Sequence, residues 1–244
     1  MIYQSYLFDL YGTLADIHTD EEKKELWKKL AVWYASHGAF YTDFQIRAEY
    51  HRLSLEERSQ AAVRHPDYTT LDIQVEHVFE ALYTQKGIPA CDDLIKETAL
   101  FFRTISRRYI RLYPQVRPML LEMRKQGKQC YLLTNAQEVF TMPELLLLNI
   151  ADLFHGIVIS SSQECAKPDP HFFEVVHKRY QLDPSKTIMV GNDPRTDIAG
   201  ANTYGIASVY IHSNLSPKWE GTPQSTYCIR NGNTEQLKKL LLSI

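Results

Sequence analysis

The sequence predicts an α/β fold: a Rossmann-like parallel sheet core carrying an inserted all-α helical cap domain. A short apolar strand opens the chain at Ser5 to Leu10, helical periodicity fills the stretch up to about residue 107, and helix and strand alternate from Pro114 onward. Alternation of this kind implies a parallel sheet with helices on both faces. The opening strand can join that sheet if the helical stretch is an insertion, which places the core at 1–15 and 108–244 and the cap at 16–107.

The first element, SYLFDL, is apolar and aromatic and stops at Tyr11-Gly12-Thr13, the pattern of a buried strand running into a loop. In the insertion, Thr19 and Glu22 have capping-box spacing ahead of Leu26, Trp27, Leu30, Trp33 and Tyr34, which recur at helical intervals until Gly38. Those aromatic residues are expected in the core of the cap. A second helical run carries Leu71, Val75, Val78, Phe79 and Leu82, and another extends from about Asp92 to Leu112. Along the latter, Arg103, Arg107, Arg108 and Arg111 read as a solvated basic face. Beyond Pro114 follow a helix to Gly127, strand QCYLLTN, a helix, strand GIVISS, strand TIMVGND, a helix starting near Thr196, and strand ASVYIH. Residues 213–226, with Pro217, Gly221 and Pro223, read as a surface loop before a last short strand and a terminal helix.

Composition narrows the classes. Hydrophobic residues at 44% and charged ones at 23% suit a globular chain rather than a disordered or fibrous one. A formal net charge of −2, without a local run of Lys and Arg, argues against a nucleic-acid partner. No apolar run is long enough to span a bilayer and no leader-like start is present, so the expectation is a cytoplasmic protein without a membrane partner. The four cysteines, Cys91, Cys130, Cys165 and Cys228, form no CxxC pair and suggest neither zinc nor disulfides. The nine histidines are scattered, and nothing in the sequence speaks to oligomeric state.

Ligands of an open parallel sheet bind at the carboxyl ends of its strands. Those ends carry Asp9 with Tyr11-Gly12-Thr13, then Thr134-Asn135, then Lys167-Pro168 in the following loop, and then Gly191-Asn192-Asp193 with Asp197 four residues on. Together they supply a nucleophilic carboxylate, a hydroxyl and an amide, a lysine and an acidic pair. In this order and over nearly the whole chain, the four motifs resemble the haloacid dehalogenase superfamily of hydrolases, which often insert a cap after the first strand.

The resemblance implies the roles. Asp9 is the nucleophile that forms a covalent aspartyl intermediate, and Lys167 supplies the positive charge it needs beside an anionic substrate. Thr134, Asn135 and Lys167 bind the phosphate or its counterpart. Mg²⁺ is held by Asp9, the Tyr11 backbone carbonyl and Asp193, with Asn192 and Asp197 orienting that set from behind. The substrate is a small molecule.

One departure divides the reading. Most phosphatases of the superfamily carry a second Asp two residues after the nucleophile as general acid, help worth roughly 10² to 10⁴ in rate. Here that residue is Tyr11, whose phenol, with a pKa of about 10, is a poor base at neutral pH. Tyr at this position resembles the (S)-2-haloacid dehalogenase branch, which uses an aspartyl ester and no metal. GNDPRTD, in contrast, resembles the metal-dependent phosphatases and outweighs it. The expected activity is thus Mg²⁺-dependent phosphatase action on a small phosphorylated metabolite, with two alternatives: dehalogenation, or a catalytically weak phosphate-binding or regulatory protein.

Overall fold

The computed structural model describes residues 2–244. Six strands, β1 (Ser5–Phe8), β4 (Gln129–Thr134), β5 (Gly156–Ile159), β6 (Thr187–Gly191), β7 (Ala207–Ile211) and β8 (Tyr227–Ile229), form one sheet in the order β5-β4-β1-β6-β7-β8. Every pairing within it is parallel, and β1 is central, flanked by β4 and β6. A strand hydrogen-bonded on both sides and covered on both faces is apolar throughout, which is why SYLF has no polar face.

The side chains of β1 still alternate. Tyr6 and Phe8 enter a cluster with α5 (Val116–Lys125) and α9 (Thr234–Ser243), whereas Leu7 faces α7 (Pro170–Tyr180) and α8 (Ala199–Tyr204). The two faces are thus separate cores sharing one sheet.

The inserted segment contains α1 (Lys24–Ser36), α2 (Asp43–Arg64), α3 (Val75–Thr84) and α4 (Asp92–Ser106), grouped around a third apolar cluster that includes Trp27, Tyr34, Phe79 and Phe102. Trp33 sits at the margin of this cluster, stacked on Phe101 with ring centroids 4.5 Å apart. The helix α2 is a long outer element with only Ile46, Leu53 and Ala61 buried, started by a capping box between Thr42 and Gln45.

The all-helical reading of 16–107 gives way at both ends. Ala15–Thr19 is a strand, β2, paired antiparallel with β3 (Arg107–Leu112), so the helix expected to reach Leu112 ends at Ser106. Thr19 belongs to β2 and caps nothing; Asp20 accepts from the Glu22 N–H instead, and α1 begins at Lys24. β-Branched and aromatic residues at Ile17, Thr19, Tyr109 and Ile110 favour the ribbon. The helix expected near Thr196 is one wide turn, Pro194–Ile198, before α8.

The cap is fastened to the core at two separate places. On one side Phe140, from the core helix α6 (Glu138–Leu147), is buried in the aromatic cluster of the cap, a burial that contributes about 2 kcal/mol. Beside it Glu144 accepts from Arg103 Nε at 2.7 Å and from Arg107 at 2.8 Å. These arginines therefore form a buried ion pair rather than a solvated face; of the same run, Arg111 pairs with Asp16 at 2.8 Å and Arg108 is exposed. On the other side the segment between α2 and α3 lies against the loop after β5. Leu71 and Cys165 form an antiparallel bridge, with Ala166 N–H donating to the Thr70 carbonyl at 3.0 Å and Asp72 N–H to that of Glu164 at 3.2 Å. Buried Asp169 accepts from the Thr69 hydroxyl at 2.9 Å, and Arg64 donates to Glu164 at 2.7 Å.

Burial alone would push the Glu144 carboxyl up, but the hydrogen bonds and charge of Arg103, followed by Tyr11 and Arg107, hold it below its ordinary 4.5. A carboxyl depressed in the folded state adds stability above its ordinary pKa and loses it as the pH falls through the folded value. Urea unfolding should therefore show Glu144→Gln to cost on the order of 3 kcal/mol at pH 7, since two arginines lose their counter-charge. The same variant should flatten the loss of stability that the native protein undergoes below pH 4.5. Parallel pH profiles for the two proteins would refute the ion-pair account.

Candidate active site

Asp9 follows β1 directly and extends its ladder, its N–H donating to the Val190 carbonyl at 3.0 Å. The chain then turns back sharply: the N–H groups of Thr13, Leu14 and Ala15 all reach the Leu10 carbonyl, and Gly12 N–H reaches that of Ala15. The Tyr11 carbonyl lies outside these bonds. Gly12 has φ +88°, and a Cβ there would stand 2.3 Å from the Asn192 side chain, so both backbone conformation and space require glycine. The Thr13 hydroxyl, which the sequence reading gave no role, donates to Asp9 Oδ2 at 3.1 Å. Its place in the Gly-Thr turn was the available signal.

The other oxygen of Asp9 is held by two donors. The Thr134 hydroxyl, at the end of β4, lies 3.1 Å from Oδ1, and Lys167 Nζ lies 2.8 Å from it. Lys167 is buried and donates also to Asp197 Oδ1 at 2.7 Å. Burial would push its ammonium down, but Asp197 and Asp9 together overcome this and hold it above the ordinary lysine range. Asp197 is pushed up by burial against the pull of Lys167. Its second oxygen takes the Asp193 N–H at 2.9 Å, and a Cβ on Gly191 would fall 2.2 Å from its carboxyl carbon. Glycine at the end of β6 thus leaves room for the carboxylate that anchors the lysine.

Asn135 and Lys167 clamp each other. The Asn135 side-chain amide donates to the Lys167 carbonyl, and Lys167 N–H donates to Asn135 Oδ1, both at 2.9 Å. In this arrangement the Asn135 side chain positions the lysine loop. Asp193 carries a different load: Oδ1 takes the Arg195 N–H at 2.8 Å, and the Arg195 guanidinium lies 3.1 Å from Oδ2. Asn192 accepts the Thr13 hydroxyl at 3.2 Å.

Tyr11 is turned away from this centre. Its hydroxyl donates to Glu144 Oε2 at 2.6 Å and lies 3.2 Å from the Thr141 hydroxyl, while Arg103 lies 5.8 Å from its ring centroid. Burial, followed by the negative charge of Glu144, pushes the phenol well above its ordinary value. The phenol is a donor to the cap fastening, not a proton source facing Asp9. Neither Glu144 nor Arg103 stood out in the sequence, because a lone Glu in a leucine-rich helix and an Arg in a basic run have no pattern that pairs them.

Asp9, Tyr11, Asn135, Lys167, Asp193 and Asp197 share one cavity of about 190 Å³, completed by Asn192, Thr196 and Leu215. Thr134 stands behind Asp9, touching it through its hydroxyl. Among the described residues no three His, Cys, Asp or Glu side chains converge as a metal-holding group. With both oxygens of Asp197 taken by Lys167 and the Asp193 N–H, the carboxylates left on this cavity are Asp9 and Asp193, and Tyr11 adds a backbone carbonyl that accepts none of the turn's bonds. All-oxygen donors in that small number suit a hard dication that keeps most of its waters, so the residues fit Mg²⁺.

The chain is 31% identical over 163 residues to the phosphoserine phosphatase of Thermus thermophilus, a match covering 66% of this chain and 63% of that enzyme. It therefore spans less than two thirds of that relative. The human N-acylneuraminate-9-phosphatase is 28% identical over 182 residues, covering 74% of this chain and 72% of the other. In three dimensions the 2-haloacid dehalogenase of Pseudomonas syringae pv. Tomato DC3000 superposes with a TM-score of 0.66 at 21% identity, covering 99% of each chain, a likeness of fold. The model of the haloacid dehalogenase-like hydrolases matches residues 3–205, which take in Asp9, Lys167, Asp193 and Asp197, and the chain belongs to that family.

Proposed function

We propose that the protein is a Mg²⁺-dependent phosphatase that acts on a small phosphorylated metabolite through an aspartyl-phosphate intermediate. The observation that carries this reading is Asp193, placed with Asp9 on one small cavity whose available donors are oxygens. The relatives named as phosphatases support the same choice. Asp9 would attack phosphorus, the bond to the leaving oxygen would break, and water would then release phosphate and restore the carboxylate. Lys167 sets a positive charge beside Asp9, and the Asn135 backbone N–H and the Thr134 hydroxyl steady the oxygens around it. Asp9, the Tyr11 carbonyl and Asp193 would hold Mg²⁺, and the chemistry it supplies when bound is charge neutralisation at the phosphoryl oxygens. Asp193 must first exchange the guanidinium of Arg195 for it.

No general acid faces the leaving group, because the Tyr11 phenol donates to Glu144. Substrates whose leaving groups are stable as anions should therefore be preferred. With Mg²⁺, hydrolysis of aryl or acyl phosphates should exceed that of alkyl phosphates by roughly 10²-fold, the order of one lost general acid. Equal rates on both classes would sink this reading. Asp9→Asn should abolish phosphate release; activity that survives the change would instead favour a binding protein with a contaminating phosphatase.

Tyr11 is also the one observation favouring dehalogenation, so halide release from a 2-haloacid without metal is the opposing measurement, and a positive result would reverse the assignment. Tyr11→Phe separates the roles of that residue. It should keep kcat within about threefold, since the hydroxyl transfers no proton. It should still lower stability by roughly 1 to 2 kcal/mol through the lost bond to an ionised carboxylate. A loss of kcat approaching 10²-fold with stability intact would make Tyr11 a proton donor after all.

A further inference from the structure

Thr134 and Asn135 stand on a stretch whose shape is set by a serine from the neighbouring strand. Ser160 follows β5 directly and is fully buried; its N–H donates to the Thr134 carbonyl at 3.1 Å, and its Oγ accepts the Ala136 N–H at 2.8 Å. It thereby brackets Asn135 from both sides. Because Asn135 clamps Lys167 in turn, a shift of this stretch reaches Thr134, Asn135 and the lysine loop together.

The hydroxyl proton of Ser160 goes to a residue of the inserted segment. Asp72, between α2 and α3, accepts it on Oδ2 at 2.5 Å, whereas the alternative acceptor, the Ala136 carbonyl, lies 3.2 Å away. Asp72 Oδ1 takes the Gln137 side-chain amide at 3.2 Å and the Ile73 N–H at 2.8 Å, and Gln137 Oε1 takes the Val75 N–H, at the start of α3, at 2.9 Å. Residues 72–75 and the stretch after β4 are interlocked by these side chains. The cap has other fastenings within a few residues, at Leu71 with Cys165 and at Arg64 with Glu164, so the feature peculiar to Asp72 is where its bond ends, on the serine that shapes the Asn135 stretch.

We infer that Asp72 is a positioning residue for the catalytic site: acting through Ser160, it gives residues 134–136 their working geometry when residues 72–75 lie against them. This role rests on the phosphatase reading for what the stretch binds. Without an acceptor at Oδ2, the Ser160 hydroxyl would turn its proton toward the Ala136 carbonyl, and the peptide after Asn135 would move with it. Donors aimed at developing charge lose their effect when displaced, and a misplacement of about 1 Å can cost roughly 10²-fold in rate. Asp72→Asn isolates this effect, since it keeps the size and one oxygen for Gln137 and Ile73 while presenting an amide donor to Ser160.

Arg64→Gln serves as the control, because it loosens the same cap junction at Glu164 without touching Ser160. Steady-state kinetics on 4-nitrophenyl phosphate with Mg²⁺ should show Asp72→Asn to lower kcat by about tenfold with KM within about threefold, the pattern of donors misplaced for the transition state. Arg64→Gln should keep both within about threefold, as an exposed pair. A merely structural role would lower stability in urea without this split, so an equal kcat for the two variants overturns the inference. The amide resonances of Asn135 and Ala136, read without substrate, should move in Asp72→Asn and stay in place in Arg64→Gln; resonances unmoved in both overturn it as well. Should they move selectively while the native protein hydrolyses neither aryl nor acyl phosphates, the phosphatase reading fails alone and the link from Asp72 to Asn135 stands. Hydrolysis with a kcat indifferent to Asp72→Asn leaves that reading standing without this one.

Discussion

Lys167 sits fully enclosed between Asp9 and Asp197, with its ammonium 2.8 Å from one carboxylate and 2.7 Å from the other. An isolated buried ammonium would cost several kcal/mol, so the lysine can be there only because both partners are. The partners impose conditions in turn. Asp197 needs the missing side chain of Gly191 and the wide turn over 194–198 to reach inward, and Asp9 needs to sit on the central strand, between β4 and β6. Most of the architecture at the carboxyl edge of the sheet follows from seating this one cation.

The same arrangement leaves a charge imbalance that shapes the chemistry. Asp9, Asp193 and Asp197 face one enclosed ammonium, and the nearest further cation, Arg195, sits on the exposed side of Asp193. An incoming phosphate would meet net negative charge at short range, an interaction worth several kcal/mol at an effective dielectric constant near 20. On the phosphatase reading a divalent cation among the same oxygens would remove that barrier, and the exposed Asp193–Arg195 pair that it would replace contributes about 1 kcal/mol or less. The pairing of Asp193 with Arg195 is thus compatible with an easily exchanged counter-ion.

What the sequence disclosed and what it concealed divide along a physical line. SYLFDL, QCYLLTN and TIMVGND contain parallel strands with buried interiors, so their apolar runs mark both their existence and, at the polar residues that end them, the candidate site. Gly12 and Gly191 were legible as turn and strand-end residues, although the side chains that forbid a Cβ there, Asn192 and Asp197, are visible only in space. The helix α2 had almost no pattern to read, because its three buried residues are spaced seven and eight apart and most of its length faces solvent. The ribbon of β2 and β3 was hidden for another reason: its strands adjoin helices, and their pairing is decided by contact between segments nearly ninety residues apart. Arg103, Glu144 and Tyr11 likewise meet only through tertiary packing, so a basic run looked solvated when two of its members are ion-paired indoors.

That last cluster explains how a tyrosine can stand where an acid is usual without disturbing the nucleophile. A carboxylate at position 11 would face Glu144, itself held ionised, and repulsion between the two would work against the arginine fastening that secures the cap. A phenol instead donates a proton it does not release, satisfies Glu144, and lends its ring to Arg103. The backbone carbonyl of the same residue accepts none of the bonds that close the turn. One residue therefore lines the cavity of Asp9 while its hydroxyl belongs to the cap junction. On the phosphatase reading proposed above, the side chain at this position joins the cap junction instead of acting as the general acid, which is consistent with substrates whose leaving groups are stable as anions.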